Sequence, residues 1–421
     1  MGAAAGPGRD RLAVWDWEGH GERVATGDWL VSDAERAAAG RETITERFRA
    51  LLPANRDRAS RQYAAGMLPD GQEMTRVWFP RDTASLEARL GGRQLAAWAE
   101  DGVLHVLWRG EADRANLAGG VQMPLWPVRG AAGLWEASAR VRHLEQAVIS
   151  VMVGAVGAGD TMFGPLAGPL VFRGARAPAP DQDRPLAGEL HEHVLESASL
   201  GRPRGVTVYV PPGAAGGGPL PGCMLADGQS VPAFAPRLEA AILAGTTPPA
   251  VLVGVHNALA ADRARPPAAD LRSLEYLPLH RSRRFRAHLS FVTDEVTAWA
   301  AGRFPVAAGP WIAAGYSNGA AWAIAAGQRR PDVFSGVAAL SAGVVPRRIA
   351  REARPVRHYL AAGTLESGFR RGTGEWAARL QRAGLSCAHR EWTGGHDNWW
   401  WHSELPAALA WLLAATPARP Q

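Results

Sequence analysis

Between about Met74 and Phe172 the chain alternates short apolar runs with Gly and Pro turns: TRVWF, QLAAWA, VLHVLWR, LWEASARVR, AVISVMV and PLVFR. Runs of this length and spacing predict antiparallel strands packed as a β-sandwich. Trp78, Trp98, Trp108, Trp126 and Trp135 fall in this stretch, as core residues or as a binding face. From about Glu189 the rhythm changes. GVTVYV, LPGCMLADG, AVLVGV, PWIAAGYS, GVAALS, VRHYLAAG and SCAHREW read as strands. Between them APRLEAAIL, RFRAHLSFVTDEVTAWAA, GAAWAIAAGQRR, EWAARLQRAG and the C-terminal WHSELPAALAWLL read as helices. That alternation predicts an α/β domain with a mostly parallel sheet and helices on both faces. Ligands of such sheets bind beyond the carboxyl ends of the strands.

The flanks are less patterned. Ser32 to Leu52 reads as a helix with Ser32 as N-cap, interrupted by Gly40, and Asp57 to Gly71 is polar and irregular. Gly174 to Gly188 is rich in Pro, Ala and charge without periodicity, as a linker would be. The organisation expected is therefore a segment 1–74 of undetermined role, a β-sandwich over 75–173, a linker over 174–188 and a catalytic domain over 189–417. Residues 1–74 are free to complete the sandwich or to cap a site.

Composition narrows the function classes. Of 421 residues, 47% are hydrophobic and 20% charged, enough to bury a large core and to exclude wholesale disorder. The formal net charge is +6, every cation is Arg, and the Arg residues are interleaved with acids along the chain. That dispersal argues against a nucleic-acid surface and leaves room for a positive cleft. Two cysteines, Cys223 and Cys387, give no disulfide framework. No run of 18 apolar residues predicts a membrane span. The opening MGAAAGPGRDRLAVW lacks the apolar core of a secretory signal, so the expected location is the cytoplasm.

Gly315-Tyr316-Ser317-Asn318-Gly319 matches G-x-S-x-G. Three letters in five are weak alone; here the apolar run PWIAAGY precedes and GAAWAIAA follows, the strand–turn–helix context that a nucleophile elbow needs. A turn this tight strains its serine and leaves no space for side chains at 315 and 319. The helix N-terminus then brings the Asn318 N–H towards a developing oxyanion.

A serine nucleophile needs a base, and an acid to orient that base. His396 lies in Thr393-Gly394-Gly395-His396-Asp397, after the last strand and before the last helix. His358 and His389 fall inside strands, where a structural role is expected, and His402 is a weaker rival in the final helix. Glu366 in Gly363-Thr364-Leu365-Glu366 follows a strand and is the first candidate acid; Asp397, the chain neighbour of His396, is second. Asp227-Gly228-Gln229 follows an early strand; Gly228 would let backbone approach the substrate and the Gln229 N–H would be the second oxyanion donor. His191-Glu192-His193 puts two imidazoles on one face of a strand, but no third ligand is evident, so no metal and no organic cofactor is expected.

Together these segments resemble the esterase branch of the α/β-hydrolases, and within it the enterochelin (ferric enterobactin) esterase family. SASLGRPRGVTVYVPPG is similar to that family's opening strand pair and LADGQ to its oxyanion loop. Arg272-Ser273-Leu274-Glu275-Tyr276-Leu277-Pro278 with FVTDEVTAW, the elbow GYSNGAAWA, the strand end AAGTLE and GGHDNWWW are similar to its later motifs. Upstream, VLHVLWRGEADRANLAGGVQMPLWPVRGAAGLWEASARV resembles its N-terminal sandwich. The likeness covers roughly residues 100–415. Two departures stand out: Ala320 where many members have Gly, and Glu366 where most have Asp.

The resemblance implies acyl transfer at Ser317, with His396 as base and Glu366 as acid, and no cofactor. It implies a small-molecule substrate, a catecholate siderophore trilactone carried as its ferric complex, which is anionic and aromatic. Arg263 and Arg272 would then supply charge, and Trp399, Trp400 and Tyr316 ring contacts. The tryptophans would equally serve to pack the last helix. A general carboxylesterase of the same fold, acting on feruloyl, acetyl-sugar or polyester-like substrates, is the alternative. A non-catalytic binding protein is the third reading.

Overall fold

A computed structural model describes residues 9–11, 30–32, 73–77, 81–112, 115–155, 165–180, 184–258, 271–278 and 283–414. They fall into two compact units. The first holds Met1–Ala179 together with Gly363–Gly368 and Glu391–Asp397; the second holds Pro180–Ala362, Phe369–Arg390 and Asn398–Gln421. Leu30–Ser32 (β2) pairs antiparallel with Arg9–Arg11 (β1), so Ser32 ends a strand; the rest of the helix expected over 32–52, the irregular stretch 57–71 and Trp78 lie outside the described residues.

In the first unit Met74–Arg76 (β3) precedes a helix, Thr83–Leu90 (α1), that the apolar pattern did not announce. Its caps are local: Asp82 accepts from the Ser85 N–H at 2.8 Å, and Gly91 ends it with φ 59°. Leu95–Glu100 (β4) and Val103–Arg109 (β5) form a hairpin through Asp101-Gly102, whose φ values of 50° and 74° suit a two-residue turn. Ala115–Gly119 (β6), Met123–Pro127 (β7), Leu134–Val141 (β8), Val148–Ala155 (β9) and Pro165–Arg173 (β10) complete an antiparallel set. Their order is β10-β9-β6-β7-β8-β5-β4, with β3 on β8, in one hydrogen-bonded path. Trp108, Trp126 and Trp135 are buried in its core, and the Arg76 guanidinium lies 4.6 Å over the Trp126 ring. Leu365, from the short segment 363–368, is buried in the same core.

The second unit carries Glu189–Leu195 (β11), Arg204–Val210 (β12), Gly222–Ala226 (β13), Val231–Leu243 (α2), Val251–Val255 (β14), Leu271–Tyr276 (α3) and Arg283–Ser290 (α4). Thr297–Arg303 (α5), Trp311–Tyr316 (β15), Asn318–Arg329 (α6), Phe334–Leu340 (β16), Arg357–Gly363 (β17), Ser367–Arg382 (α7), Cys387–Trp392 (β18) and Asn398–Leu413 (α8) follow. The strand order is β11-β12-β14-β13-β15-β16-β17-β18. From β14 to β17 the pairs are parallel, but β11–β12 and β12–β14 are antiparallel. The sheet is therefore mixed: most of its pairs are parallel, as expected, and the two at the β11 edge are antiparallel. The eight residues between β11 and β12 are too short for the crossover that a parallel pair needs.

Glycines set the helix distances. A Cβ at Gly327 of α6 would lie 2.5 Å from the Val337 side chain, and one at Gly336 would lie 3.1 Å from Leu412 of α8. Residues 336 and 337 face opposite sides of β16, so α6 and α8 cover opposite faces. The single helix expected over 284–301 is instead α4, a π-helical turn at Phe291–Val296, and α5. The Thr293 and Thr297 hydroxyls there bond the carbonyls of Leu289 and Thr293 at 2.9 and 2.7 Å. The segment expected as a linker is fastened at both ends: Gly174 N–H bonds Ala147 O at 2.9 Å, and the N–H groups of Ala187 and Gly188 bond the Glu239 carboxylate at 2.9 and 2.7 Å.

Candidate active site

Ser317 stands between β15 and α6 with φ 57° and ψ −126°, a conformation that costs a non-glycine residue about 1–3 kcal/mol and persists only where its surroundings enforce it. Its N–H donates to Leu340 O at 2.9 Å, and its carbonyl accepts from Ala320 and Ala321 in the first turn of α6. A Cβ at Gly315 would collide with the Gly319 carbonyl, and one at Gly319 would come within 3.0 Å of Ala226. The small residues of the motif thus serve the crossing of β15 beneath α6. The Ser317 hydroxyl is buried and has no hydrogen-bond partner among the described residues.

Asn318 begins α6, where main-chain N–H groups have no helical acceptor. Its side chain donates to Ser273 Oγ at 2.9 Å. Gly228 and Gln229 lie in a 3-10 turn, Gly228–Ser230, and the Gln229 side-chain oxygen accepts from the Asn257 N–H at 3.3 Å. The role expected for Gly228 needs correction: a Cβ there would collide with the backbone of Gly254 in β14. The glycine serves close packing on a neighbouring strand.

Arg272 also needs correction. Its Nε and one Nη fork onto the Asp227 carboxylate at 2.7 and 2.6 Å, and its guanidinium lies 5.3 Å from the Tyr276 ring. Burial alone would lower its pKa; the Asp227 carboxylate outweighs burial and raises it. That cation is neutralised inside the protein, so it does not provide the exposed charge expected at a site mouth. Arg263 lies outside the described residues. Asp227 itself, left-handed at φ 62° and 1% exposed, also accepts from Asn257 Nδ2 at 2.7 Å, and its N–H donates to Tyr276 Oη at 2.8 Å. Three residues along α3, Glu275 receives Arg204 at 2.7 and 2.8 Å, both side chains 1% exposed. Burial pushes the Glu275 pKa up, but hydrogen bonding and charge from Arg204, with His288 nearby, hold it below the ordinary value. This buried network was not read from sequence. The Arg272–Glu275 spacing was visible, but it reads as an ordinary exposed helix pair.

Tyr316 stacks on Trp401, ring centroids 4.4 Å apart at 19°, and its hydroxyl meets Ser230 Oγ at 2.8 Å. Trp401 is buried and donates from Nε1 to Ser341 Oγ at 2.8 Å. Trp399 and Trp400 are half-buried and meet edge to face at 4.9 Å, with the Arg237 guanidinium 4.5 Å over Trp399.

In the first unit, Glu366 Oε2 accepts from His396 Nδ1 at 2.5 Å, with both side chains buried. Glu366 Oε1 accepts from the Gly363 N–H at 2.6 Å. The extra methylene of glutamate is absorbed in that fold-back onto the end of its own strand. With Nδ1 donating to the carboxylate, Nε2 is the basic nitrogen. Asp397 turns elsewhere: its Oδ2 accepts from the Ser150 N–H at 2.6 Å and its Oδ1 from Ser150 Oγ at 2.9 Å. His358 is fully buried within β17, and burial lowers its pKa to about 3. His402 packs edge-on against Phe234 at 4.4 Å.

Hydrogen bonds His358 N to Ser386 O and Thr364 N to Trp392 O keep one offset, so β18 runs parallel to β17. Ser317, Glu366 and His396 thus follow the carboxyl ends of three parallel strands of one sheet, in the chain order Ser, acid, His. The family model described as "Putative esterase" matches residues 197–412, half of the chain. The chain belongs to this esterase family. It is a carboxylic ester hydrolase with the α/β fold of its relatives. The enterobactin esterase of Shigella flexneri, crystallised in the presence of enterobactin, is 19% identical. It covers 77% of this chain and 97% of its own, with a TM-score of 0.58. The ferric enterobactin esterase of Salmonella typhimurium is 18% identical over 77% and 98%, with a TM-score of 0.58. At that identity the likeness speaks for the fold. A search of curated proteins finds no match. Among the described residues, no helix is long and apolar enough to cross a membrane, and no cluster of three metal-ligating side chains occurs.

Proposed function

We propose that this esterase is a serine hydrolase that opens the ester bonds of a catecholate siderophore trilactone in the cytoplasm, acting on the ferric complex as substrate. Ser317 is the nucleophile, His396 the base and Glu366 the acid, within a catalytic domain over 189–417 that follows a sandwich domain over 75–173. His396 Nε2 takes the Ser317 hydroxyl proton as Oγ attacks the ester carbonyl. The Asn318 and Gln229 N–H groups receive the oxyanion, and the departing alkoxide takes the proton from His396. Water then attacks the acyl-enzyme with His396 again as base. Glu366 holds the Nδ1–H tautomer and offsets the imidazolium charge.

The observation that carries the chemistry is the buried Glu366–His396 hydrogen bond, together with the strained serine. The substrate class rests on the relatives crystallised with enterobactin, whose fold extends over most of this chain. Trp399 and Trp400 are the candidate ring contacts for catecholates. The binding of Arg272 to Asp227 favours the second reading, a carboxylesterase for uncharged esters, because one expected cation is withdrawn from the ligand. Incubating wild type and Ser317→Ala with a ferric catecholate trilactone separates them by mass spectrometry, with a short-chain aryl ester in parallel. Linearisation by wild type alone supports the siderophore reading. Cleavage of the aryl ester alone moves the assignment to the general esterase. No reaction with either overturns the serine-hydrolase reading.

A further inference from the structure

The loop that carries His396 is seated on the antiparallel sheet of the first unit. Asp397 is 1% exposed, and its two oxygens take both donors of Ser150, a residue 247 positions away in β9. Gly120, just after β6, leaves the space this needs: a Cβ there would lie 2.5 Å from Asp397 Oδ2 and 2.9 Å from Ser150 N. The Gly120 N–H in turn bonds Ser150 O at 2.9 Å. A Cβ at Gly395 would collide with the Gly120 carbonyl, so the backbone of the histidine loop lies directly on that turn. The Val148 N–H donates to Thr393 O at 3.3 Å, and Leu365, beside Glu366, is buried in the core of the same sheet.

A buried carboxylate needs donors, and donors fixed in a sheet hold it in one place. Both chain neighbours of His396 are held in this way, Gly395 by close packing and Asp397 by two hydrogen bonds. We propose that Asp397 is a positioning residue for His396, acting through Ser150 and Gly120 of the antiparallel sheet. This rests on the Ser317–His396–Glu366 reading above. Asp397 touches no reacting atom in this scheme. It fixes the rotation and height of the imidazole, and misplacement by about 1 Å costs about 10²-fold in rate.

The test uses the full chain and an aryl ester. Asp397→Ala is expected to lower kcat about 10²-fold with KM within about twofold. Asp397→Asn is expected to recover most of it: the Ser150 hydroxyl can accept as well as donate, so an amide takes the N–H on its oxygen and donates to Oγ. Gly120→Ala, which removes no candidate catalytic side chain, is expected to lower kcat as well. The His396 Nδ1 proton, held to Glu366, gives a far-downfield NMR signal that should shift or vanish in Asp397→Ala and return in Asp397→Asn. Wild-type kcat and an unchanged signal in Asp397→Ala and Gly120→Ala would overturn the inference. Full activity in Ser317→Ala or His396→Ala would instead overturn the reading beneath it.

Discussion

The proposed nucleophile, Ser317, and the proposed base, His396, are held by opposite means. Ser317 is fixed by its own chain: a strand, a tight turn and a helix within a few residues, with Gly315 and Gly319 allowing the crossing. His396 is fixed by residues far off in sequence: Glu366 orients the ring, and Ser150 and Gly120 seat the loop. A nucleophile has one conformation to hold and can be built locally. A base must be aimed at a second group, and a glycine-rich loop cannot do that unaided.

The largest effects should come from the proposed nucleophile and base. Ser317→Ala and His396→Ala should each lower kcat about 10⁴-fold or more, measured on the aryl ester, with the fold kept. Glu366→Gln should follow, at about 10²- to 10⁴-fold, because an amide presents a donor to Nδ1–H and favours the wrong tautomer. None of these losses should be restored by raising substrate, since all arise after binding.

Next come the supports of the serine side. Arg272→Ala leaves Asp227 buried without its guanidinium and should destabilise by about 3–5 kcal/mol in urea titrations. Gly315→Ala forces β15 away from α6 and should cost about 1–3 kcal/mol. Ser317→Gly should have the opposite sign, gaining up to about 1 kcal/mol of stability while abolishing activity, because glycine tolerates the positive φ. A Ser317→Gly variant no more stable than wild type would mean the turn stores no strain.

A last expectation concerns the pH dependence of stability. Burial lowers the pKa of His358 to about 3, and those of His105 and His288 to about 4. Below about pH 6.5 the unfolded chain binds protons that these buried rings refuse, so stability should fall as pH drops from 6.5 towards 4. Glu275, whose folded pKa is depressed, adds a loss with the same sign below about pH 4.5. Replacing His358 by Leu should flatten the upper part of that slope. An unchanged slope would show that His358 is not the proton-linked group.

Much of the fold could be read along the chain because short-range rules generate it. The strands β15 to β18 and the elbow follow from runs of apolar residues and from the Gly and Ser at their ends. The serine, histidine and acid candidates were legible for the same reason, each lying just past a strand. What failed was whatever depends on a partner. Gly228 looked like an opening for substrate until Gly254 was found against it. Arg272 looked like a free cation until Asp227, 45 residues earlier, was found to hold it. Asp397 looked like a rival acid until Ser150 was found to occupy it. The sequence by itself determined most of the order of strands and helices after residue 189 and the chemistry available at their ends, because those depend on neighbours a few residues apart. Only the tertiary structure decided which charge meets which, which glycine faces backbone, and that β12 runs against β14. Such pairings join residues tens to hundreds of positions apart and leave no periodic trace in a single chain.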